Sequence, residues 1–342
     1  MEYTKLVPRK DYHFLKERKV GIVGVSIKEG QDYEGTELAP QTLRKSGLLE
    51  VVKGNEWTLN DYNDITTIDS NHEKEFENKD YKYKDLKNIK KIGAVNKILN
   101  DTCQKIAKSG EFCLTIGGDH SLSSGSLTGL KQVYPNLKLV WIDANGDCNT
   151  PEISLTGNYH GMTVAHLLGL LGDGNVPGFE WFKGNFTSKD IVIIGLRTID
   201  HEEKKQLKKL NIKCYTMHDI LKHGISKVID ESLSFLGVTN DKNTSNPVHI
   251  SWDIGAVDPS EAFATGTKSR GGLLYRESQY IVREIVNTGS LVGLDMVEIN
   301  PLLDTPLVRF HGDNRWITAS TESVALGLEI ISCALGDFQE ML

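Results

Sequence analysis

Residues 137–147 read LKLVWIDANGD, an apolar run that ends in polar side chains. The run at residues 137–142 predicts a buried β-strand, because it is rich in apolar and strand-forming side chains. Asp143, Asn145 and Asp147 follow it directly. In an open parallel sheet, ligands bind beyond the carboxyl ends of the strands. This stretch therefore predicts a strand with a binding site at its end.

Five further runs of this kind are separated by helical patterns. They lie at residues 20–25 (VGIVGV), 111–116 (EFCLTI), 190–194 (DIVII), 248–252 (VHISW) and 291–296 (LVGLDM). Residues 92–106 and 320–335 instead repeat apolar side chains at three- and four-residue spacing, which is typical of amphipathic helices. This alternation predicts an α/β fold with a mostly parallel central sheet and helices on both faces.

The length of 342 residues favours a single domain over residues 1–342, because α/β folds of this size often form one unit. Residues 61–91 are highly charged and predict an exposed loop that leads into a helix. Residues 239–247 (TNDKNTSNP) predict a polar connection within the domain. The sequence shows no internal repeat and no linker rich in Gly, Pro or Ser.

Composition excludes several classes of protein. The net charge of −7 argues against a nucleic-acid or anionic-membrane surface. The first 19 residues carry charges throughout and do not resemble a signal peptide, and no apolar run approaches the length of a membrane span. The five cysteines show no CxxC spacing, which indicates reduced thiols and a cytoplasmic protein.

One histidine and three carboxylates follow three of the predicted strands. They are His120, Asp143, Asp147 and Asp253. Each alone is usually a cap, a turn former or a surface group, but their shared place beyond strand ends favours a joint site. One imidazole and three carboxylates suit a hard ion such as Mn²⁺ better than a thiolate-type zinc site. Asp258 precedes Pro259 and is interpreted as structural.

The motifs taken together resemble arginase, a member of the ureohydrolase superfamily. They are GGDHS (117–121), DAxxD (143–147), GNYHG (157–161), SxDxxxxDP (251–259) and GLDMVEINP (293–301). The resemblance runs from about residue 20 to about residue 336. It implies a three-layer α/β/α fold and the hydrolysis of L-arginine to L-ornithine and urea by two Mn²⁺ ions that share a hydroxide.

The resemblance also implies a defect at the second metal position. The first ion would be held by His120, Asp143, Asp147 and Asp253, all of which are present. The second ion would share Asp143 and Asp253, and the family adds a His where this chain has Asn145 and an Asp where it has Gly255. Two cations held close together need many ligands to offset their repulsion. We therefore expect one bound Mn²⁺ per chain, or none.

The substrate pocket implied by the resemblance is largely retained. Its matching residues are Asn149, Ser154, Thr156, Asn158, Asp200, Glu203 and Thr267. His160 matches the histidine that shuttles protons, and Glu298 matches a carboxylate near the guanidinium. Thr198 stands where the family usually has Asp. Without the resemblance, turns are the favoured interpretation of the two asparagines and Glu298, and a helix cap is the favoured interpretation of His160.

Three hypotheses remain open from the sequence. The first is an arginase-type hydrolase with one-metal or impaired activity on an L-arginine-like small molecule. The second is an arginase-fold pseudoenzyme that binds an amino acid or a partner chain, which the losses at Asn145 and Gly255 favour. The third is a ureohydrolase with another substrate. Arginases of this kind are usually homotrimers with a tail after the last helix. Because this chain stops at Leu342, the homotrimer stays open.

Overall fold

One eight-stranded sheet forms the centre of the protein. The computed structural model describes residues 11–66, 84–172, 174–306, 317–319 and 321–337. In these ranges the strands are β1 (Lys19–Val25), β2 (Thr58–Ile65), β3 (Phe112–Gly117), β4 (Lys138–Ile142), β5 (Ile191–Leu196), β6 (Lys213–Thr216), β7 (Val248–Asp253) and β8 (Leu291–Val297). Their order is β2-β1-β3-β8-β7-β4-β5-β6, and all neighbours are parallel.

The described helices flank this sheet. They are α1 (Ala39–Lys45), α2 (Leu48–Gly54), α3 (Ile89–Ser109), α4 (Ser123–Lys131), α5 (Thr163–Leu167), α6 (His201–Leu210), α7 (Met217–His223), α8 (Ile225–Leu236), α9 (Tyr275–Asn287) and α10 (Glu322–Ala334). Short 3-10 helices lie at Thr36–Leu38, His120–Leu122, Tyr159–Met162 and Ile254–Ala256. Within the described ranges, no helix is long and apolar enough to span a membrane.

Side-chain alternation along the strands builds two separate cores. In β4, Leu139 and Trp141 join a core with residues of α3 to α6, whereas Val140 and Ile142 join a core with residues of α1, α2 and α8 to α10. Successive side chains of a strand point to opposite faces, so both faces of the sheet are covered. The predicted three-layer α/β/α fold is confirmed.

All six predicted strands are confirmed, and the prediction for residues 61–91 is wrong in part. Residues 61–65 form the second half of β2, residues 67–83 lie outside the described residues, and α3 begins at Ile89. β2 is an edge strand whose side chains are half-buried or exposed. An edge strand can be polar because one side faces solvent, so its sequence resembles a charged loop.

Four neighbouring strands in the middle of the sheet position the site. They are β3, β8, β7 and β4, and their carboxyl ends lie along one edge. Gly118, after β3, lets the chain pass close to the segment after β1, because a Cβ there would overlap the carbonyl oxygen of Ile27. Residues 239–247 join α8 to β7, as expected for a polar connection.

Candidate metal centre and substrate pocket

Three interactions fix His120 at the end of β3. The side chain of Asp119 accepts hydrogen bonds from Ser121 N at 2.9 Å and Gly30 N at 2.8 Å, which holds the turn that precedes the ring. The imidazole stacks on Trp141 with a centroid distance of 3.9 Å and an interplanar angle of 4°. The side chain is 1% exposed, so the ring has little freedom to rotate.

The four predicted metal ligands come together at this ring. His120 Nδ1 lies 3.1 Å from Asp143 Oδ2, 3.2 Å from Asp147 Oδ2 and 3.9 Å from Asp253 Oδ2. One ligand atom each of His120, Asp143 and Asp147 lies within 4.8 Å of the others, and all three residues are buried. The set is compact enough for one ion, with Asp253 beside it.

The electrostatics of the cluster fit a divalent cation. Burial, reinforced by the neighbouring charge of Asp143, raises the pKa of Asp147 to about 8 and that of Asp253 well above its usual value. Burial alone would lower the pKa of His120, but hydrogen bonds with Asp143 and Asp147 raise it well above normal. Buried carboxylates that repel one another are stabilised by a bound cation. The donor set, three carboxylates and one imidazole, is the kind that Mn²⁺ accepts.

Two residues of the site have unusual backbone angles. Asp147 has φ of 45° and Glu298 has φ of 63°. This left-handed region costs energy for residues other than glycine and is concentrated at functional sites. The surrounding structure therefore imposes the direction in which both carboxylates point.

Asn145 and Gly255, the positions where the resemblance implies second-metal ligands, make different contacts. Asn145 turns its amide nitrogen to the carbonyl oxygen of Thr198 at 2.9 Å, and the Thr198 hydroxyl donates to Ser269 Oγ at 2.8 Å. Gly255 contributes only backbone, and its N–H donates to Asp253 Oδ1 at 2.5 Å. The Asn145 amide and the Gly255 N–H are thus both hydrogen-bonded within the protein, on the side where the resemblance places the second ion.

A chain of buried hydroxyls runs from the back of the His120 ring. His120 Nε2 lies 2.8 Å from Ser251 Oγ, which lies 3.0 Å from Ser123 Oγ. Ser123 donates to Asp295 Oδ2 at 2.9 Å. Since a hydroxyl has one hydrogen, Ser251 donates to Ser123 and accepts from Nε2–H. Nδ1 is therefore the ring nitrogen that faces the carboxylates, and once it loses its proton it can bind a metal ion.

Asp295 ends that chain as a buried carboxylate. It also accepts from Ser126 Oγ at 2.7 Å, and His249 Nε2 lies 3.1 Å from its Oδ1. Burial would raise the pKa of Asp295, but His249 and the serine hydroxyls hold it below its usual value. These residues were not predicted from the sequence, although an aspartate in the apolar strand β8 and serines three residues apart in α4 were detectable signals.

His160 and Glu298 form a pair beside the metal cluster. Glu298 Oε1 lies 2.9 Å from His160 Nδ1 and accepts from His120 N at 2.8 Å. Burial would lower the pKa of His160, but Glu298 outweighs it and raises this pKa to about 9. His160 is 19% exposed and can therefore exchange a proton between the site and solvent.

The loop at residues 149–158 combines turn contacts with one free acceptor. Ser154 Oγ accepts from Gly157 N at 3.1 Å, and Thr156 Oγ1 accepts from Asn158 N at 3.2 Å, so both hydroxyls hold the turn. Asn149 Oδ1 is buried and has no partner within the described part of the chain. An unpaired buried acceptor is costly, and a bound ammonium group would satisfy it.

The remaining pocket candidates lie on two segments. Glu203 is buried, accepts from Cys148 N at 2.8 Å, and burial raises its pKa to about 7. Asp200 is half-buried at the start of α6, and Thr267 is exposed. Asp258 accepts from the N–H groups of three residues, which confirms its structural interpretation; these are Ser260, Gly271 and Gly272.

The chain is similar to known proteins in both sequence and fold. A sequence model of the Arginase family matches residues 18–324. The arginase of Plasmodium berghei is 40% identical over 333 residues, 93% of each chain. The crystal structure of arginase from Bacillus subtilis has a TM-score of 0.79 at 31% identity and covers 94% of this chain and 100% of its own. Arginase from Entamoeba histolytica, in complex with L-ornithine, has a TM-score of 0.77 at 28% identity and covers 94% and 99%.

These matches extend over nearly the whole chain and include the strands that position the candidate metal ligands. The family model alone spans all four ligand positions, from His120 to Asp253. Sequence and structure agree on the same relatives. The chain therefore belongs to the arginase family of ureohydrolases.

Proposed function

We propose that this chain hydrolyses the guanidino group of L-arginine, or of a closely related amino acid, with one tightly held Mn²⁺ ion. The buried cluster of His120, Asp143 and Asp147 carries this proposal, because its three ligand atoms suit one hard cation. Asp253 is the fourth proposed ligand. The Entamoeba relative in complex with L-ornithine supports an amino acid as the ligand.

The chain's own residues have distinct proposed roles in hydrolysis. A divalent ion in the cluster supplies Lewis-acid polarisation that helps water lose a proton. Glu298 places a carboxylate beside the guanidinium carbon. His160, 2.9 Å from Glu298, takes a proton from the attacking water and delivers one to the nitrogen that leaves. Asn149 Oδ1 accepts a hydrogen bond from the substrate's α-ammonium group. The other proposed pocket residues, Ser154, Thr156, Asn158, Asp200, Glu203 and Thr267, contact the amino-acid end.

A second candidate function is ligand binding without turnover. It is favoured by the bond between Asn145 and Thr198, which takes up the amide at a position where the family has a metal ligand. Gly255 has no side chain that could serve as a metal ligand in its place. The paired His160 and Glu298 favour the enzyme, because a scaffold has no need for a proton-exchanging pair next to its ligand site.

Metal content and urea release, measured on the same preparation, separate the two functions. After loading with Mn²⁺ and removal of free metal, we expect about one ion per chain by elemental analysis and urea release above a chelator-treated control. Mn²⁺ should also raise the melting temperature, because a ligand of the native state stabilises it by mass action. His120→Ala should remove this rise. Two tightly bound ions would contradict the one-metal proposal, and one ion without urea would favour the pseudoenzyme.

We also propose a location, a domain organisation, an assembly and a class of partner for the protein. We place the protein in the cytoplasm, because its five cysteines are free and four of them are buried. Residues 1–342 are proposed to form one arginase-like domain, since one sheet connects the described strands. A homotrimer is the assembly that the family suggests. Small molecules, rather than nucleic acid or membrane lipid, are the proposed partners.

A further inference from the structure

The segment at residues 159–166 carries the proposed proton-exchanging histidine and is bonded to the metal cluster. It consists of a 3-10 turn followed by most of α5. Val164 N donates to the backbone oxygen of Asp147 at 2.8 Å, and Thr163 Oγ1 donates to the backbone oxygen of His120 at 3.3 Å. The position of this segment therefore decides where its histidine ring lies relative to the cluster.

On one side, an exposed ion pair holds the residue before this segment. Lys87 Nζ donates to Asp32 Oδ1 at 2.8 Å, and Asn158 bonds to both of these side chains at 3.0 Å. The Lys87 and Asp32 side chains are 36% and 56% exposed. Exposed ion pairs are screened by water and salt and contribute little. This contact therefore holds the segment only weakly.

On the other side, a buried tyrosine hydroxyl fixes the segment to the core. Tyr159 is fully buried, and its Oη lies 2.7 Å from Ser124 Oγ and 2.5 Å from His166 Nδ1. Burial lowers the pKa of His166 to about 3, so its ring is neutral at pH 7. A hydroxyl can donate to one neighbour and accept from the other. Because water does not reach these neutral bonds, they hold the segment more firmly than the exposed pair.

The serine that meets this hydroxyl belongs to a closely packed part of the core. Ser124 lies in α4 beside Ser123, which carries the hydroxyl chain to His120. Gly125 lets α4 pack directly on α3, since a Cβ there would lie 2.5 Å from the carbonyl oxygen of Asn96. Gly125 N also donates to Asn96 Oδ1 at 2.6 Å. The start of α4 thus supports a proposed metal ligand through one serine and the proton-exchanging segment through the next.

We propose that the Tyr159 hydroxyl is a positioning group, which keeps the His160 ring in place against Glu298. The inference rests on the proposed hydrolytic function, in which this histidine exchanges the proton. Tyr159 acts through the residue that follows it and does not itself take part in the chemistry. The His160 ring lies 2.9 Å from Glu298, so a small shift of the turn is enough to break that contact.

Steady-state kinetics of the Mn²⁺-loaded protein with L-arginine test this role. Tyr159→Phe keeps the aromatic ring and removes only the hydroxyl. We expect kcat to fall about tenfold, because a misplaced His160 transfers protons less well. KM should change by less than about twofold, since the hydroxyl has no contact with the substrate.

The pKa of His160, followed by NMR in the metal-free full chain, tests the same role without turnover. Burial would lower this pKa, but the charge of Glu298, with smaller effects of Asp147 and Asp119, raises it to about 9. A ring that has moved away from Glu298 loses part of this effect. Tyr159→Phe should therefore lower the pKa of His160 by about one unit.

The chain offers a matched control on the other face of the sheet. Tyr12 is also buried, and its hydroxyl donates to the backbone oxygen of Ala334 at 2.7 Å. Tyr12→Phe should lower the melting temperature as much as Tyr159→Phe, because each removes one buried hydrogen bond. It should leave kcat and the pKa of His160 unchanged.

A double variant separates positioning from stability. Tyr159→Phe with His166→Phe replaces both buried polar partners by apolar rings, so the melting temperature should recover while kcat stays low. Recovery of kcat together with stability would overturn the positioning role, as would equal effects of Tyr12→Phe or an unchanged pKa of His160 in Tyr159→Phe. A protein that releases no urea but shows the drop in this pKa would contradict the proposed function and support the positioning of the ring.

Discussion

Asn145 and Gly255 supply neither an imidazole nor a carboxylate to a second cation. Neither position is blocked by its backbone, because Gly255 is outside the left-handed region that excludes other residues. A Cβ at Gly255 would lie 2.9 Å from Asp253 Oδ1 and 3.5 Å from Thr265 Oγ1. The Asp253 carboxylate must therefore shift to accommodate a side chain at position 255. At position 145, a histidine must give up the bond to Thr198.

The double substitution Asn145→His with Gly255→Asp should restore a second ion. It adds one imidazole and one carboxylate, and we expect close to two Mn²⁺ per chain and urea release at least about tenfold above the starting protein. Either change alone should give little, because the ion stays under-coordinated. Asn145→Ala with Gly255→Ala controls for the altered packing. A folded double variant with two ions and no urea would show that these ligands do not limit activity.

His166 is a buried titratable residue away from the chemistry. Its ring lies between Phe179 and Phe182, and Nδ1 is 2.5 Å from the Tyr159 hydroxyl. Burial lowers its pKa to about 3, whereas an unfolded histidine titrates near 6.5. The unfolded chain therefore binds more protons between these values, and folding stability falls as the pH drops from about 6.5 towards 3.

His166→Phe should remove this source of acid sensitivity. The free energy of unfolding of the unmutated protein should fall by up to about 1.4 kcal/mol per pH unit more than that of the variant below pH 6. Urea denaturation at pH 7, 6 and 5, in the presence of a chelator, measures the difference without metal release. Parallel pH profiles for the two proteins would contradict a neutral His166 in the native state.

At the scale of elements, residues of α4 and β7 cooperate to orient His120, the histidine proposed as a metal ligand. Ser123 of α4 and Ser251 of β7 carry the hydroxyl chain from His120 to Asp295, whereas Ser126 reaches Asp295 without touching Ser251. Ser123 and Ser126 are both fully buried and donate to the same oxygen. The two serines differ in that Ser123 also hydrogen-bonds to Ser251, which contacts the imidazole of His120.

Ser123→Ala should therefore weaken Mn²⁺ binding about tenfold, the lower end of the usual effect of losing such an outer hydrogen bond. Ser126→Ala should leave the metal affinity close to that of the unmutated protein. Both substitutions remove a buried hydroxyl, so their losses of stability should be similar, about 1–3 kcal/mol. Calorimetric titration with Mn²⁺ distinguishes them. Equal affinities would mean that the hydroxyl chain does not orient His120.

Elements with two buried faces were predictable, and those at the edges were not. The run at residues 248–252 is apolar because β7 lies in the middle of the sheet, and its sequence predicts a strand directly. β6 has four residues and most side chains of β2 are polar, so neither strand has a continuous apolar run. For the same reason, the candidate ligands His120, Asp143 and Asp147, which follow central strands, could be predicted from the sequence to lie together.

At the scale of the whole molecule, contacts between distant segments were beyond the sequence. Asp32 and Lys87 are 55 residues apart, and Lys87 belongs to a segment that reads as a charged loop. The pairing of His249 with Asp295 likewise depends on β7 and β8 being neighbours in the sheet. Periodicity reports which side of an element is buried, but it does not report which elements face each other.

The position of β8 sets the order in which this protein can be completed on the ribosome. β8 is the only described strand that joins β2-β1-β3 to β7-β4-β5-β6. A nascent chain that has not yet reached Leu291 can pair strands within each half but has no described strand to link them. His120 follows β3, while Asp143 and Asp253 belong to the other half. The chain must therefore be made beyond Leu291 before the two halves of the described sheet can join, and until then both half-sheets expose open strand edges to chaperones.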